Sequence, residues 1–515
     1  MSQNTEDMFA GSQSRNFMGH PIGLSICFLT EMWERFSYYG MRTILILYLT
    51  KYHLFDVEDA SMIYGAYAGL VYMMPIIGGY MADRYLGSRK AVTYGAILLV
   101  MGHALMAFHG QAAYIAGDVV MRDETAINIF FLALSLIICG VGFLKANIST
   151  VVGALYGPND PRRDGGFSIF YMGINLGSFF SMIIVGYVGE TYGWNYGFSI
   201  AGIGMFFGLL VFLWGQKFLD GRAEPPEPKI LKEKSPIGVS KENTIYLFGI
   251  FLIMLSWVMM QYDQMVIQLV GISGIIMIGL VLFYSVTKCE KVDRERLWVA
   301  IFLIAIQSVF WALFEQQAAS LTLLADQQFN LSFLGMNILA SQVQTMNALF
   351  IIMFAPVMAW LWLALAKRKI EPSTPAKFGY SLLIIGAGYV IFAWGMGLDD
   401  STSKSFLWLI FIYFMLTLAE LFLSPVGLSM VTKLSVPKIV GMMMGTWFLF
   451  TALGNNVAGW ISSLMGSEEV GAVSGTLDMT STMDLYYLIG YVSAGVGIFI
   501  LILTPPLRKG MHGVH

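Results

Sequence analysis

Charge is what this chain has least of. Charged residues fill 12% of its 515 positions, roughly half the share of an ordinary soluble domain. Hydrophobic residues fill 57%, and the mean hydropathy is +0.67. An ordinary soluble domain is thereby excluded. Cysteine is scarce too: Cys27, Cys139 and Cys289 follow no disulfide or metal spacing. The first two fall in apolar stretches, where packing is the default role. A membrane-embedded enzyme should carry a nucleophile–base pair or a His-rich metal set in its helices. Here the apolar stretches hold only His103 and His109, and neither Gly-x-Ser-x-Gly nor His-Glu-x-x-His occurs. The reading is therefore no enzyme, no metal site and no cofactor. A net charge of −3 speaks against nucleic acid as a partner. The first twenty residues are polar and mixed, so no cleavable signal peptide is expected, and the first spanning helix must direct insertion.

What the chain has in abundance is apolar runs of about 20 residues, the length a helix needs to cross a bilayer. Six lie near 21–50, 60–82, 90–110, 126–156, 166–189 and 194–216. Two follow near 244–261 and 264–287, joined by a Gln261-Tyr262-Asp263-Gln264 turn. Six more run near 296–325, 335–366, 377–397, 405–432, 439–465 and 483–504. The expectation is an all-α membrane protein with 14 spans. A tail (1–20) leads into a six-helix bundle (21–216). A Pro- and Lys-rich aqueous linker (217–243), an inserted hairpin (244–287), a second six-helix bundle (288–505) and a tail (506–515) follow.

The basic residues test this count. With the N-terminus cytoplasmic, only Lys51, Arg122 and Lys404 fall outside, and Arg35, Arg42 and Lys145 fall within helices; every other Lys and Arg of the 30 lands inside. Clusters at Arg84/Arg89/Lys90, Lys288/Lys291/Arg294/Arg296 and Lys367/Arg368/Lys369 would flip sides if one span were miscounted. The positive-inside rule needs such a bias, and it puts both termini in the cytoplasm of a multi-pass protein.

The first span carries the most informative pattern. Glu31, Glu34, Arg35, Tyr38 and Arg42 are spaced i, i+3, i+4, i+7 and i+11, one narrow stripe of a helix. Charges at bilayer depth cost several kcal/mol, and they persist where they pair or face a wet cavity. An ion pair that only fixes packing would need fewer groups, so a transport pathway is the better reading.

Two bundles of six helices around a basic linker is the layout of the major facilitator superfamily. GGYMADRYLGSRK (78–90) resembles that superfamily's loop between helices two and three, where Asp83, Arg84, Arg89 and Lys90 can pair across the bundle when the cytoplasmic side closes. A closer resemblance covers nearly the whole chain. TEMWERFSYYGMR (30–42) looks like the E-x-x-E-R-F-x-Y-Y-G signature of the proton-dependent oligopeptide transporter family. FSIFYMGINLGSF (167–179) is similar to its second signature, with Phe170, Tyr171, Asn175 and Gly177 in place. FWALFEQQ (310–317) and AELFLSPVGLSMV (419–431) resemble its helix-seven and helix-ten motifs. The inserted hairpin is typical of prokaryotic members.

The resemblance implies a proton-coupled symporter that imports di- and tripeptides by alternating access across a bacterial inner membrane, driven by the proton gradient. It assigns proton coupling to Glu31, Glu34, Arg35 and Lys145. It gives Arg35 and Lys145 the peptide carboxylate, which suits a guanidinium fork, and gives Glu420 the ammonium group, with Asn175 and Asn347 beside it. Tyr38, Tyr39, Tyr72, Trp311, Trp447, Phe448 and Thr451 match positions lining side-chain pockets. Thr451 stands where relatives often carry Ser. Arg42 and Glu315 match a gating pair, and Pro75, Pro356, Pro425, Gly78 and Gly427 interrupt helices where bending would help. One departure matters: animal-type relatives carry a histidine in helix two, where this chain reads Tyr64-Gly65-Ala66-Tyr67. Any transported proton must then ride on carboxylates. Rival readings are a same-fold carrier of nitrate or another small solute and, from other classes, a channel or a membrane enzyme. A nitrate site has no use for an ammonium-binding acid, and a channel needs no separate receptors for carboxylate and amine.

Overall fold

The computed structural model describes residues 16–514, except 118, 158, 159, 161, 237, 400, 402 and 467–474. Every apolar stretch read from the sequence is largely helical. After a small hairpin of β1 (Asn16–Phe17) and β2 (His20–Pro21) come α1 (Gly23–Lys51), α2 (Val57–Met81) and α3 (Ser88–Met106). A second hairpin, β3 (Tyr114–Ala116) and β4 (Val119–Met121), leads to α4 (Glu124–Ala154), α5 (Arg163–Tyr192) and α6 (Trp194–Gly215). The linker holds the short α7 (Pro228–Lys232), and the inserted hairpin is α8 (Lys241–Met260) and α9 (Asp263–Lys288). Then follow α10 (Lys291–Phe314), α11 (Ser320–Gln328), a third hairpin of β5 (Ser332–Phe333) and β6 (Met336–Asn337), α12 (Thr345–Lys367), α13 (Thr374–Leu398), α14 (Phe406–Leu434), α15 (Val440–Ser463) and α16 (Met479–Gly510).

Among the described residues, 11 helical segments are long and apolar enough to cross a membrane by length and composition. The α1 helix lies outside that set because Glu31, Glu34, Arg35 and Arg42 interrupt its apolar run. Two expected spans are not single helices: 335–366 opens with β6 and a 3-10 turn over Ala340–Gln344 before α12 begins. The stretch 296–325 breaks at Glu315, where α10 ends; Glu315–Ala318 form a 3-10 turn, and α11 restarts at Ser320. Four consecutive residues there, Glu315, Gln316, Gln317 and Ala318, are buried. The glutamines compete with the backbone for hydrogen bonds: Gln316 Nε2 donates to the carbonyls of Ala312, at 3.2 Å, and Ala458, at 2.9 Å.

The chain forms two compact units. The first takes in the described residues of Met1–Ile44, Met73–Ala112 and Arg122–Gln261, and the second Leu45–Tyr72, Ala113–Met121 and Tyr262–His515. Within unit 1, α3 and α4 approach closely at glycines: a Cβ on Gly95 would lie 2.6 Å from the Gly140 carbonyl oxygen. Unit 2 repeats the device between α13 and α16, where a Cβ on Gly386 would lie 2.6 Å from the Gly490 carbonyl oxygen. Small residues let membrane helices pack backbone to backbone where no hydrophobic effect between helices is available. The α8 helix packs within unit 1 against α4, and α9 within unit 2 against α15.

The segment after α2 winds into a π-turn over Ala82–Leu86 and reverses at Gly87. Gly87 has φ +72°, and a Cβ there would meet the backbone of Glu224 and Pro225 at 2.5 Å, so only glycine fits. Arg89 grips Glu224 in fork geometry, with Nε–Oε1 2.5 Å and Nη2–Oε2 2.8 Å, and Lys90 Nζ lies 2.6 Å from Glu242 Oε1. These two cations therefore hold the linker rather than Asp83, which is exposed. The linker is not wholly aqueous. Leu231 of α7 is buried in an apolar cluster with Ala82, Leu86, Phe143 and Ile245. In the loop after α4, the Arg162 guanidinium donates to Asp160 at 2.8 Å and holds its carboxyl below the usual carboxylate range.

Candidate functional site

In unit 1 the site is built on α1. Its apolar run is long enough to stay helical through the charges, and the i, i+3, i+4 spacing stacks Glu31, Glu34 and Arg35 on one face. All three are buried, at 3%, 1% and 3% exposure. Arg35 Nε lies 3.1 Å from Glu31 Oε1 and also pairs with Glu34. These contacts pair charge without linear hydrogen-bond geometry. Among the described residues, Glu31 Oε2, both Glu34 oxygens and Arg35 Nη2 engage no protein hydrogen-bond partner. Lys145 of α4 is partly buried, and its charge acts on Glu31 together with that of Arg35. Two acids and two cations thus form a formally neutral cluster. The Tyr38 ring lies 5.3 Å from the Arg35 guanidinium carbon and meets Tyr39 edge-on at 5.2 Å.

The second signature supplies the wall behind this cluster. Gly177 of α5 faces α1 at Met32–Phe36: a Cβ would lie 3.0 Å from Phe36 N and 3.1 Å from Arg35 Cβ, and would press on the Met32 carbonyl. Asn175 stands half-buried, its amide donating to the Tyr171 carbonyl of its own helix at 3.0 Å. Arg42 is buried one turn beyond Tyr38.

In unit 2 the arrangement is neutral around one acid. Asn347 Nδ2 of α12 donates to Glu420 Oε2 and to Thr417 Oγ1, both at 3.0 Å, across α12 and α14. Among the described residues Glu420 has no ion-pair partner. Pro425, five residues on, removes the N–H that would bond the Leu421 carbonyl, loosening α14 just beyond the acid. Trp311 of α10 donates through Nε1 to Gln307 Oε1 at 3.2 Å, and Gln307 Nε2 donates to the Trp447 carbonyl at 2.9 Å. Thr451 Oγ1 donates to that same carbonyl at 3.1 Å. Gly427 leaves room for the Trp447 ring, and Gly454 for Trp311. Tyr72 and Phe448 are half-buried in this unit, and Glu315 is buried at the α10 break.

Thr417 and Gln307 escaped the sequence reading. Gln307 carried a signal, a lone amide in an apolar run one helical turn before Trp311. Thr417 sits one turn before Glu420 and carried none, because hydroxyls are common in membrane helices. Among the described residues, no group of three or more His, Cys, Asp or Glu is placed to hold a metal ion.

Comparison with known proteins agrees with this architecture. A family model described as the POT family matches residues 89–476. A peptide transporter of Yersinia enterocolitica is 35% identical over 519 residues, covering 97% of this chain and 96% of its own. A di-/tripeptide transporter of Lactococcus lactis subsp. cremoris is 35% identical over 523 residues, covering 97% of this chain and 98% of its own. A crystal structure of a peptide transporter POT in complex with sulfate superposes with a TM-score of 0.84 at 34% identity, over 99% of both chains.

Proposed function

The chain belongs to the proton-dependent oligopeptide transporter (POT) family of the major facilitator superfamily, and from that premise we propose that it imports di- and tripeptides together with protons. The observation that carries this reading is the formally neutral cluster of buried Glu31, Glu34 and Arg35 on α1 with the partly buried Lys145 of α4. In the scheme proposed here the transporter is not an enzyme and uses no cofactor. It sits in a bacterial inner membrane with both termini cytoplasmic, as the distribution of Lys and Arg favours.

Arg35 and Lys145 receive the peptide carboxylate. Glu420, its carboxylate held by the Asn347 amide that Thr417 in turn positions, receives the ammonium group. A peptide carboxylate that engages Arg35 and Lys145 competes with Glu31 and Glu34 for them. An acid deprived of its cation in a low-dielectric site holds a proton instead. Substrate and proton binding then favour one another, as reciprocal linkage requires. An inward proton gradient can therefore load peptide outside and release it inside.

The test is uptake of a labelled dipeptide into proteoliposomes with an imposed pH gradient. Saturable accumulation that collapses with a protonophore is expected, with free dipeptides competing and nitrate not competing. Competition by nitrate, or flux that never saturates, would overturn the reading.

A further inference from the structure

The inserted hairpin has no part in the scheme above, and its two helices are held by different neighbours. The α8 helix is fixed to α3 and α4 of unit 1. The Tyr94 hydroxyl donates to the Tyr246 carbonyl at 3.2 Å and sits over Gly249, leaving no room for a Cβ. Toward the α8 C-terminus, Ser256 Oγ lies 4.0 Å from Cys139 Sγ, and Trp257 Nε1 donates to the Asn128 carbonyl at 3.1 Å. The α9 helix is fixed to α10 and α15 of unit 2. Trp298 Nε1 donates to Ser285 Oγ at 3.0 Å, and a Cβ on Gly274 would lie 3.6 Å from the Phe450 ring.

The chain passes from unit 1 to unit 2 between Gln261 and Tyr262, both exposed in the turn at 260–263. Earlier passages into unit 2, within α1 and α2 and at β3 and β4, each return to unit 1; this one does not. The linker before it has the Pro, Gly and charged residues of a flexible segment. Instead it is gripped along its length by unit 1. Besides the Glu224 and Glu242 ion pairs, the Arg89 N–H donates to the Ala223 carbonyl at 3.0 Å and Arg89 Nη1 to Gln216 Oε1 at 2.9 Å. Arg222 Nη1 donates to the Leu155 carbonyl at 2.5 Å, and Leu231 adds a buried apolar anchor. Relative motion of packed bodies is absorbed by a few loop or element-terminal residues. The exposed turn at 260–263 fits that description, and the gripped linker does not.

We propose that the inserted hairpin is the joint of the transporter: α8 travels with unit 1, α9 travels with unit 2, and the turn at 260–263 bends between them. The linker moves as a fixed piece of unit 1. The inference rests on the alternating access of the proposed function, in which one bundle rocks against the other. A joint at one end of two long helices magnifies a small bend. At 1.5 Å per residue the 20 residues of α8 make an arm of about 30 Å, so a bend of about 10° displaces its far end by about 5 Å.

The test uses the full-length protein in lipid nanodiscs, with Cys27, Cys139 and Cys289 replaced by Ala and pairs of introduced cysteines carrying spin labels. Distances are read by double electron–electron resonance with and without a saturating dipeptide at acidic pH. The exposed pair Leu247→Cys with Phe283→Cys spans the hairpin far from its turn and should shift by about 3 Å or more. Thr125→Cys with Leu247→Cys, inside unit 1, and Met265→Cys with Val292→Cys, inside unit 2, should stay within about 1.5 Å. A constant Leu247–Phe283 distance, or an equal shift between Thr125 and Leu247, would overturn the proposal. Dipeptide uptake by the same variants judges the peptide reading separately: retained uptake with no movement across the hairpin counts against the joint alone. Function gives a second readout. In a Ser256→Cys variant that keeps Cys139, a disulfide fastens α8 to α4 within unit 1 and should leave uptake within twofold of the reduced protein. A bismaleimide bridging Leu247→Cys and Phe283→Cys should lower uptake at least tenfold. Unchanged uptake in the bridged protein would mean that the hairpin moves as one piece.

Discussion

Two acidic centres lie in membrane spans of this protein, and their surroundings are opposite in kind. On α1, Glu31 and Glu34 share Arg35 as an ion-pair partner, and the charge of Lys145 reaches Glu31. On α14, Glu420 accepts from the Asn347 amide, which donates to Thr417 as well. The first centre is closed on itself: each charge already has an opposite. The second lacks a cation among the described residues. A compensated cluster stores exchangeable partners, whereas an uncompensated acid needs a visiting one. On the proposed function the first centre serves coupling and the second recognition, a contrast that substitution can break or sharpen.

Arg35→Leu should have the largest effect on stability. It strands two buried carboxylates with Lys145 alone, and removal of one partner from a buried ionic set costs about 3–5 kcal/mol. Thermal unfolding of the purified protein should drop accordingly, and an unchanged midpoint would mean that the cluster is solvated. Replacing Glu31, Glu34, Arg35 and Lys145 together by Gln, Gln, Met and Met should recover most of that loss, because no charge of the cluster is left unpaired.

Next comes coupling. Glu31→Gln or Glu34→Gln should abolish pH-driven accumulation of dipeptide in proteoliposomes while peptide-for-peptide exchange continues. Accumulation that survives in both variants would move the proton elsewhere, with Glu315 the next residue to test.

Recognition is a smaller quantity. Glu420→Gln should weaken binding of a free dipeptide roughly 10- to 100-fold, the worth of a hydrogen bond to a charged group, and leave an N-acetylated dipeptide nearly unaffected. Equal losses for both peptides would turn Glu420 into a gating group and erase the contrast between the two centres. A C-terminally amidated dipeptide should show the converse, competing poorly with its free acid in the wild-type protein.

The smallest effect is expected at Thr451. Thr451→Ser keeps the hydroxyl bonded to the Trp447 carbonyl and removes one buried methyl, worth about 1 kcal/mol. Affinities among dipeptides should shift by no more than roughly fivefold, read from competition curves.

The helices were legible because each is announced by an apolar run of spanning length, and the stripe on α1 because a period of 3.6 converts spacing directly into direction. The break at Glu315 was not legible. A run such as FWALFEQQAASLTLLA stays apolar enough to read as one helix, and only the burial of Gln316 against the Ala458 carbonyl shows where the ladder yields. The linker's grip was hidden for a related reason. Arg89 and Lys90 read as loop cations, and their choice of Glu224 and Glu242 depends on Gly87 turning the chain at positive φ. Hydrogen-bond chains such as Trp311–Gln307–Trp447 join different helices, so no local pattern encodes them.

The charges on α1 bear on how the chain is made as well as on how it works. Of the helices described, it leaves the ribosome before the others and is among the poorest at entering lipid by itself. A charge at the centre of a span opposes insertion by about 2.5–3.5 kcal/mol, and a Leu, Ile or Phe returns only about 0.3–0.6 kcal/mol. Its apolar residues cannot offset Glu31, Glu34 and Arg35 until the polar face has somewhere to turn. That shelter comes from α4, which carries Lys145, and from α5, whose Gly177 lets its backbone press against α1 at Arg35. Both are synthesised more than 70 residues later. The nascent α1 must therefore wait, held at the insertion machinery or at the membrane surface, until its partners emerge. The cluster proposed to serve transport in the finished protein thus makes its biogenesis a cooperative event.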